Sequence, residues 1–195
     1  MKAIILTFWG IWDWIYFQLN RMEYVSKADN LFRIVRKTYK GPDLQTQTGK
    51  WITKGDQILK LHLYNYRLAK ELHQNPNRSL AIYLKRNIEH SLFGLSVFTQ
   101  QLPEKDQIKG IIGTSLLNRG AERFGFRTYD VEKSFYFSIK HYLYKVICLL
   151  VHPDGTLFLK RHGKRLKSKH MIMSLDELTE RYMLEGDFIL EGDLK

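Results

Sequence analysis

The segment GDQILKLHLYNYR at residues 55–67 places a histidine, an asparagine and an arginine where an apolar alternation gives out. Imidazole, amide and guanidinium are groups that shuttle a proton and hold an anion. In an extended chain Leu59, Leu61 and Leu63 share one face, and Asn65 and Arg67 continue it. His62 points the other way, with Ile58, Lys60 and Tyr64. The three polar groups act together only if a bulge or the strand end lets the two faces converge. Kept apart, they are a half-exposed histidine, an asparagine closing a strand and an arginine bonded to backbone carbonyls.

Three further constellations carry two readings each. Gly113-Thr114-Ser115, read as a turn between a strand and a helix, exposes amides at a helix start that suit phosphate or carboxylate, with Arg119 one turn on. Ordinary capping by Thr114 or Ser115 explains the same residues. Asp13 sits amid Trp9, Trp12, Trp14 and Tyr16, and a buried carboxylate must be hydrogen-bonded, paired or protonated. A structural ion pair with an arginine and a ligand-facing acid both satisfy that demand. The basic run KRHGKRLKSKH at 160–170, with Lys164 and Arg165 at its centre, is either a solvated loop or a contact for anionic lipid or a phosphate-bearing polymer.

Other chemistries lack their residues. The seven histidines contain no pair three or four apart, and Cys148 lies in the apolar run VICLLV, so local spacing assembles no metal site. No P-loop, GxGxxG or GxSxG occurs, and no cofactor is implied. A single cysteine excludes an intrachain disulfide and reads as a buried thiol.

The elements that must position these groups follow from periodicity. Residues 3–24 read as an aromatic-rich helix, with Ile4, Ile11, Ile15, Leu19 and Met22 as an apolar stripe. Residues 31–39 read as a strand, GPD at 41–43 as a turn, and Trp51-Ile52 as a short strand leading into 55–67, so that the region forms an antiparallel meander. Leu80, Leu84, Ile88, Leu92 and Leu95 predict a helix over 78–99. A strand from 108, a turn at Gly113, a short helix from Leu116 to Gly125 and the strand FRTYDV come next. Phe135, Ile139, Tyr142, Val146 and Leu149 predict a helix over 132–151, buried on most sides and ended by a turn at HPDG, 152–155. Ser174 and Glu177 form a capping box that opens a last helix. Strands mixed with helices without regular alternation predict an α+β fold: one domain over 1–195, a mainly antiparallel sheet packed by several helices.

The chain has 195 residues, 44% of them apolar, a formal net charge of +11 and a pI near 9.6. Its partners should therefore be anionic. Nucleic acid is disfavoured, because no zinc knuckle, RNP motif or recognition helix accompanies the charge. Asp13 and Gln18 interrupt the apolar first nineteen residues, which argues against a spanning helix and a signal peptide. A cytoplasmic, membrane-peripheral location is expected.

Several segments in order, FWGIWDWIYFQLNRMEYV, GDQILKLHLYNYRL, IIGTSLLNRGAERFGF, LVHPDG and MSLDELTERY, resemble the YkoP-like family of bacterial proteins. The resemblance implies a domain found alone or attached to polysaccharide deacetylase domains, hence a cell-envelope setting, and it supplies no catalytic residues. The chain lacks the paired aspartates and the two histidines four apart that a metal-dependent deacetylase would need. The expected function is an accessory or binding module of envelope polysaccharide metabolism that recognises an anionic glycan, a lipid-linked glycan or an anionic membrane surface. The alternative is a small hydrolase or transferase with His62 as general acid or base and Asn65, Arg67 and the Thr114 and Ser115 amides holding an oxyanion or phosphate. Oligomeric state is left open.

Overall fold

Alternating Leu59, Leu61 and Leu63 build the middle of a sheet, with other strands laid against both sides of their segment. A computed structural model describes residues 2–75, 80–116, 118–132, 135–151, 155–163 and 166–183. Its strands are β1 (Glu23–Tyr24), β2 (Phe32–Thr38), β3 (Leu44–Gln45), β4 (Trp51–Ile52), β5 (Gln57–Leu63), β6 (Ile108–Ser115), β7 (Arg127–Asp130) and β8 (Lys169–Ser174). The helices are α1 (Lys2–Leu19), α2 (Asn65–Gln74), α3 (Leu80–Gln100), α4 (Phe135–Val151), α5 (Gly155–His162) and α6 (Leu175–Tyr182). Six strands form one sheet in the order β1-β2-β5-β6-β8-β7, antiparallel except for the β5–β6 pair. The fold is α+β, as the mixed pattern predicts.

The two sheet faces are covered differently. Phe32, Ile34, Leu59, Leu61, Ile111 and Met173 meet Leu92 and Leu95 of α3 and Leu178 of α6 in the largest apolar cluster. On the opposite face the β3–β4 pair lays Leu44 and Ile52 over Ile58, Ile112 and Ile172. A third cluster lies among the helices. There Leu68, Ala69 and Leu72 of α2 pack with Leu31, Tyr83 and Val151, flanked by Trp9 and Ile147. The capping box forms as read: Ser174 Oγ accepts from the Glu177 amide, while Glu177 accepts from the Ser174 amide at 2.6 Å.

Several boundaries differ from the sequence reading, each for a physical reason. α1 stops at Leu19, Arg21 takes a positive φ of 48°, and the chain doubles back so that Glu23 and Tyr24 pair with β2. The β5 ladder ends at Leu63, opposite Phe32, and the next residues turn into α2 because Leu68 and Leu72, four apart, find a helical core. Gly113 is no turn. It lies inside β6, paired with Leu61 and Met171, and a Cβ there would stand 3.3 Å from Met171 Cε, so close packing and not chain reversal accounts for it. The expected helix of 116–125 is one 3-10 turn, Ala121–Phe124, bounded by left-handed Gly120 and Gly125. β3 and β4 form their own small sheet instead of joining a meander. The basic run is partly the end of α5 and partly the start of β8. Residues 152–154 of the predicted HPDG turn lie outside the described residues.

Candidate functional site

The polar tail expected beyond the leucines does not stay on one face. Asn65 is the first residue of α2. Arg67, in the first turn of the helix, donates from Nε to Glu71 Oε1 at 2.7 Å and from Nη1 to the Lys27 carbonyl at 3.5 Å. Glu71 also accepts from the Tyr83 hydroxyl, so Arg67 belongs to a helix-pinning network. His62 stays on β5 opposite Arg33, its ring edge-on to Tyr16 at 6.4 Å and 71°.

Thr114 and Ser115 are strand residues, so the expected helix-start amides do not exist there. Thr114 shares the sheet face of His62 on the neighbouring strand, since Leu61 pairs with Gly113 one step before. Its Oγ1 lies 2.9 Å from His170 Nδ1, and β8 sets His170 directly opposite. Ser115 faces the other side, opposite Lys169. Arg119 lies in the exposed turn after β6, and Lys164 and Arg165 fall outside the described residues.

Asp13 resolves in favour of the ion pair. Both its oxygens take hydrogen bonds from Arg33, at 3.0 Å from Nη1 and 2.6 Å from Nη2, and Nη2 also donates to the Tyr24 hydroxyl at 2.9 Å. The guanidinium lies against three rings, 3.6 Å from the Tyr64 centroid, 4.7 Å from Tyr24 and 5.1 Å from Phe17. Burial alone would lower the Arg33 pKa, but the Asp13 carboxylate, aided by Tyr24 and Tyr64, outweighs it and raises the group above its ordinary value. Such bidentate, ring-stacked geometry is the arrangement arginine serves best. The residue itself escaped sequence reading, although a charge among Phe32, Ile34 and Val35 on a central strand signalled a buried partner.

Around α1 the periodicity then divides cleanly. Trp9, Asp13 and Phe17 face inward, onto Tyr66, Arg33 and Tyr24. Phe8, Ile11, Trp12, Ile15 and Leu19 face outward and are exposed, Phe8 by 70% and Leu19 by 77%. Trp14 is exposed too and, with Thr7, Gly10, Ile11 and Tyr66, lines an open groove of about 410 Å³ between α1 and α2. Gly10 allows that approach, because a Cβ there would stand 3.0 Å from the Tyr66 ring.

The stripe of α4 behaves likewise, against the expectation that this helix is buried on most sides. Ile139, Tyr142, Leu143, Val146 and Leu149 are exposed, Tyr142 by 69%, while Ile147, Cys148 and Val151 turn inward. Burial raises the Cys148 thiol pKa, in keeping with a packing role. In α1, α2, α4 and α5 the only acids are Asp13 and Glu71, and both are engaged internally by arginines. Lys70, Lys160 and Arg161 are exposed and Lys145 half-buried on the same helices. No helix among the described residues is long and apolar enough to cross a membrane, and no cluster of three metal-ligating side chains forms among them.

The model of the YkoP domain family matches residues 2–182. A Bacillus subtilis (strain 168) protein called uncharacterized protein YkoP is 29% identical over 186 residues, covering 93% of this chain and 98% of that protein. No solved structure matches.

Proposed function

The chain belongs to the YkoP domain family, and from its surface we propose that it is a binding module for an anionic membrane surface, an accessory part of cell-envelope polysaccharide metabolism that meets anionic or lipid-linked glycan there. The observation that carries this reading is the outward stripe Phe8, Ile11, Trp12, Ile15 and Leu19. Contiguous exposed apolar surface of this kind needs a partner. Tryptophan and phenylalanine on one helix face, with cations nearby, fit the headgroup–acyl boundary. The charge balance of the four helices supports lipid over a neutral protein partner, since each Lys or Arg near an anionic leaflet contributes about 1 kcal/mol.

Co-sedimentation with vesicles of phosphatidylglycerol and phosphatidylcholine tests the reading. Binding should fall steeply with salt, and Trp12→Glu with Ile15→Glu should weaken it by about 100-fold, because each charge is costly where an apolar face is inserted. Thermal unfolding of that variant should match the parent, both positions being exposed. Salt-insensitive binding, or none, would remove the reading. Self-association through α1, detected by ultracentrifugation without lipid, would replace it.

A second reading, a hydrolase or transferase using His62, draws support from the shared face of His62 and Thr114. Turnover of a phosphate or acyl ester that is lost in His62→Gln would establish it.

A further inference from the structure

The sheet face opposite α3 has a feature that the membrane reading does not use. β5 and β6 are the one parallel pair among the described strands, and crevices outside the carboxyl ends of parallel strands are where open sheets take ligands. Over the first half of these strands the face is apolar and covered by β3 and β4. Toward their carboxyl ends it becomes polar. Lys60 and His62 on β5, Thr114 on β6 and His170 on β8 occupy neighbouring positions there, all half-buried. α1 bounds the row on one side, with Tyr16 edge-on to His62. On the other side stands Tyr129, opposite His170 and donating to the Gln45 carbonyl at 2.7 Å.

The strand residues of this face carry charge of one sign, with Asp43 and Glu132 near Tyr39 at its apolar end. By the register, β2, β5, β6, β8 and β7 contribute to it Arg33, Lys37, Lys60, His62, His170 and Arg127 and not one acid. Asp13, which reaches the face from α1, is bound to Arg33. The Thr114 hydroxyl against His170 Nδ1 holds that imidazole in a set orientation, as a second hydrogen bond does for functional histidines. An ammonium, two imidazoles and a hydroxyl on adjacent strands form a donor set suited to phosphoryl oxygens.

We propose that Lys60, His62, Thr114 and His170 form a binding site for a phosphoryl group, either of a phosphomonoester or diphosphate headgroup or of a free phosphate. The site deepens the membrane reading and rests on it for its setting: Tyr16, edge-on to His62, belongs to the same helix as the outward apolar stripe. It also gives His62 a role as a ligand for the anion, with Lys60 on the same strand face and His170 as a partner that spacing along the sequence does not connect.

Titration with inorganic pyrophosphate, followed by calorimetry and by the imidazole resonances of the histidines, tests the site. Binding should shift His62 and His170 and leave His73 and His90 unmoved, and Lys60→Met and His170→Gln should each weaken it at least tenfold with thermal stability retained. Trp12→Glu with Ile15→Glu should weaken vesicle binding by about 100-fold yet leave pyrophosphate affinity within twofold, which separates the site from the membrane reading. Vesicles containing phosphatidic acid should be preferred over phosphatidylglycerol vesicles of equal charge, and His170→Gln should erase that preference if the phosphoryl group is a headgroup. Pyrophosphate binding without such a preference assigns the site to a free phosphate. Pyrophosphate that shifts no histidine, or binds both single variants as tightly as the parent, overturns the proposal.

Discussion

α3 and α4 carry apolar residues at the same three- and four-residue spacings, and the molecule uses them in opposite ways. Leu92 and Leu95 of α3 are fully buried between the sheet and α6. On α4 the stripe of Ile139, Tyr142, Leu143, Val146 and Leu149 faces outward. Periodicity identifies a helix with an apolar face, but what covers that face is decided by which elements the topology brings alongside. α3 crosses back over the sheet between β5 and β6. α4 leaves the sheet after β7 and packs on α2 and α5 instead, and among its described side chains those of the Ile147–Val151 side find a core.

Three sets of substitutions set buried positions against exposed ones. The largest effect belongs to the ion pair that fastens α1 to β2: Asp13→Ala strands the Arg33 guanidinium in its ring cage and should cost about 3–5 kcal/mol in chemical denaturation. Replacing both partners by apolar residues, as in Asp13→Leu with Arg33→Met, should recover most of that loss, and a double variant as weak as the single one would show that the pair itself is indispensable. Next comes the direct comparison. Leu95→Ala should destabilise by about 3 kcal/mol, whereas Leu143→Ala should stay within about 0.5 kcal/mol of the parent. Similar losses from both would mean that α4 is covered in solution.

The smallest of the three concerns the buried end of α6. Glu177 accepts from the Ser174 amide at 2.6 Å and the Thr48 amide at 2.7 Å. Burial pushes its carboxyl pKa up, but the hydrogen bonds from Ser174 and Thr48 outweigh that and leave it below the usual range. Glu177→Ala should cost about 2 kcal/mol, with both amides losing a charged acceptor. The sign of the pH effect follows. Near the ordinary glutamate pKa of about 4.3 the unfolded chain binds more protons, so this contribution is fully present above that pH and is lost as pH falls through the lowered folded value. Unfolding followed from pH 7 downward should show a shallower acid slope in the variant than in the parent, and an unchanged slope would remove Glu177 from the acid response.

Legibility in the sequence tracked how local the deciding interaction was. The capping box depends on residues three apart and is legible in the sequence, as are the α3 stripe and, to within a residue at each end, the strand read over 31–39. The partner of Asp13 lies twenty residues away on another element, so an ion pair was foreseeable while Arg33 was not singled out. α2 was hidden by an apolar alternation running into Tyr64 and Tyr66, although Leu68 and Leu72 held the helical signal. Gly113 was misread because glycine marks turns and close packing alike, and only the neighbouring strands distinguish the two. Of the candidate site, His62 and Thr114 stand out in the sequence and Lys60 shares the His62 face by period-two spacing, but His170 joins them only through strand register, which no spacing along the chain encodes.

The cage around Arg33 also fixes how α1 can move. With Trp9, Asp13 and Phe17 fastened along one side of the helix, α1 can neither roll about its axis nor swing outward without tearing a guanidinium from its carboxylate. It therefore works as a rigid fin and not as a hinged arm, and whatever meets its tryptophans meets the whole domain in a single attitude.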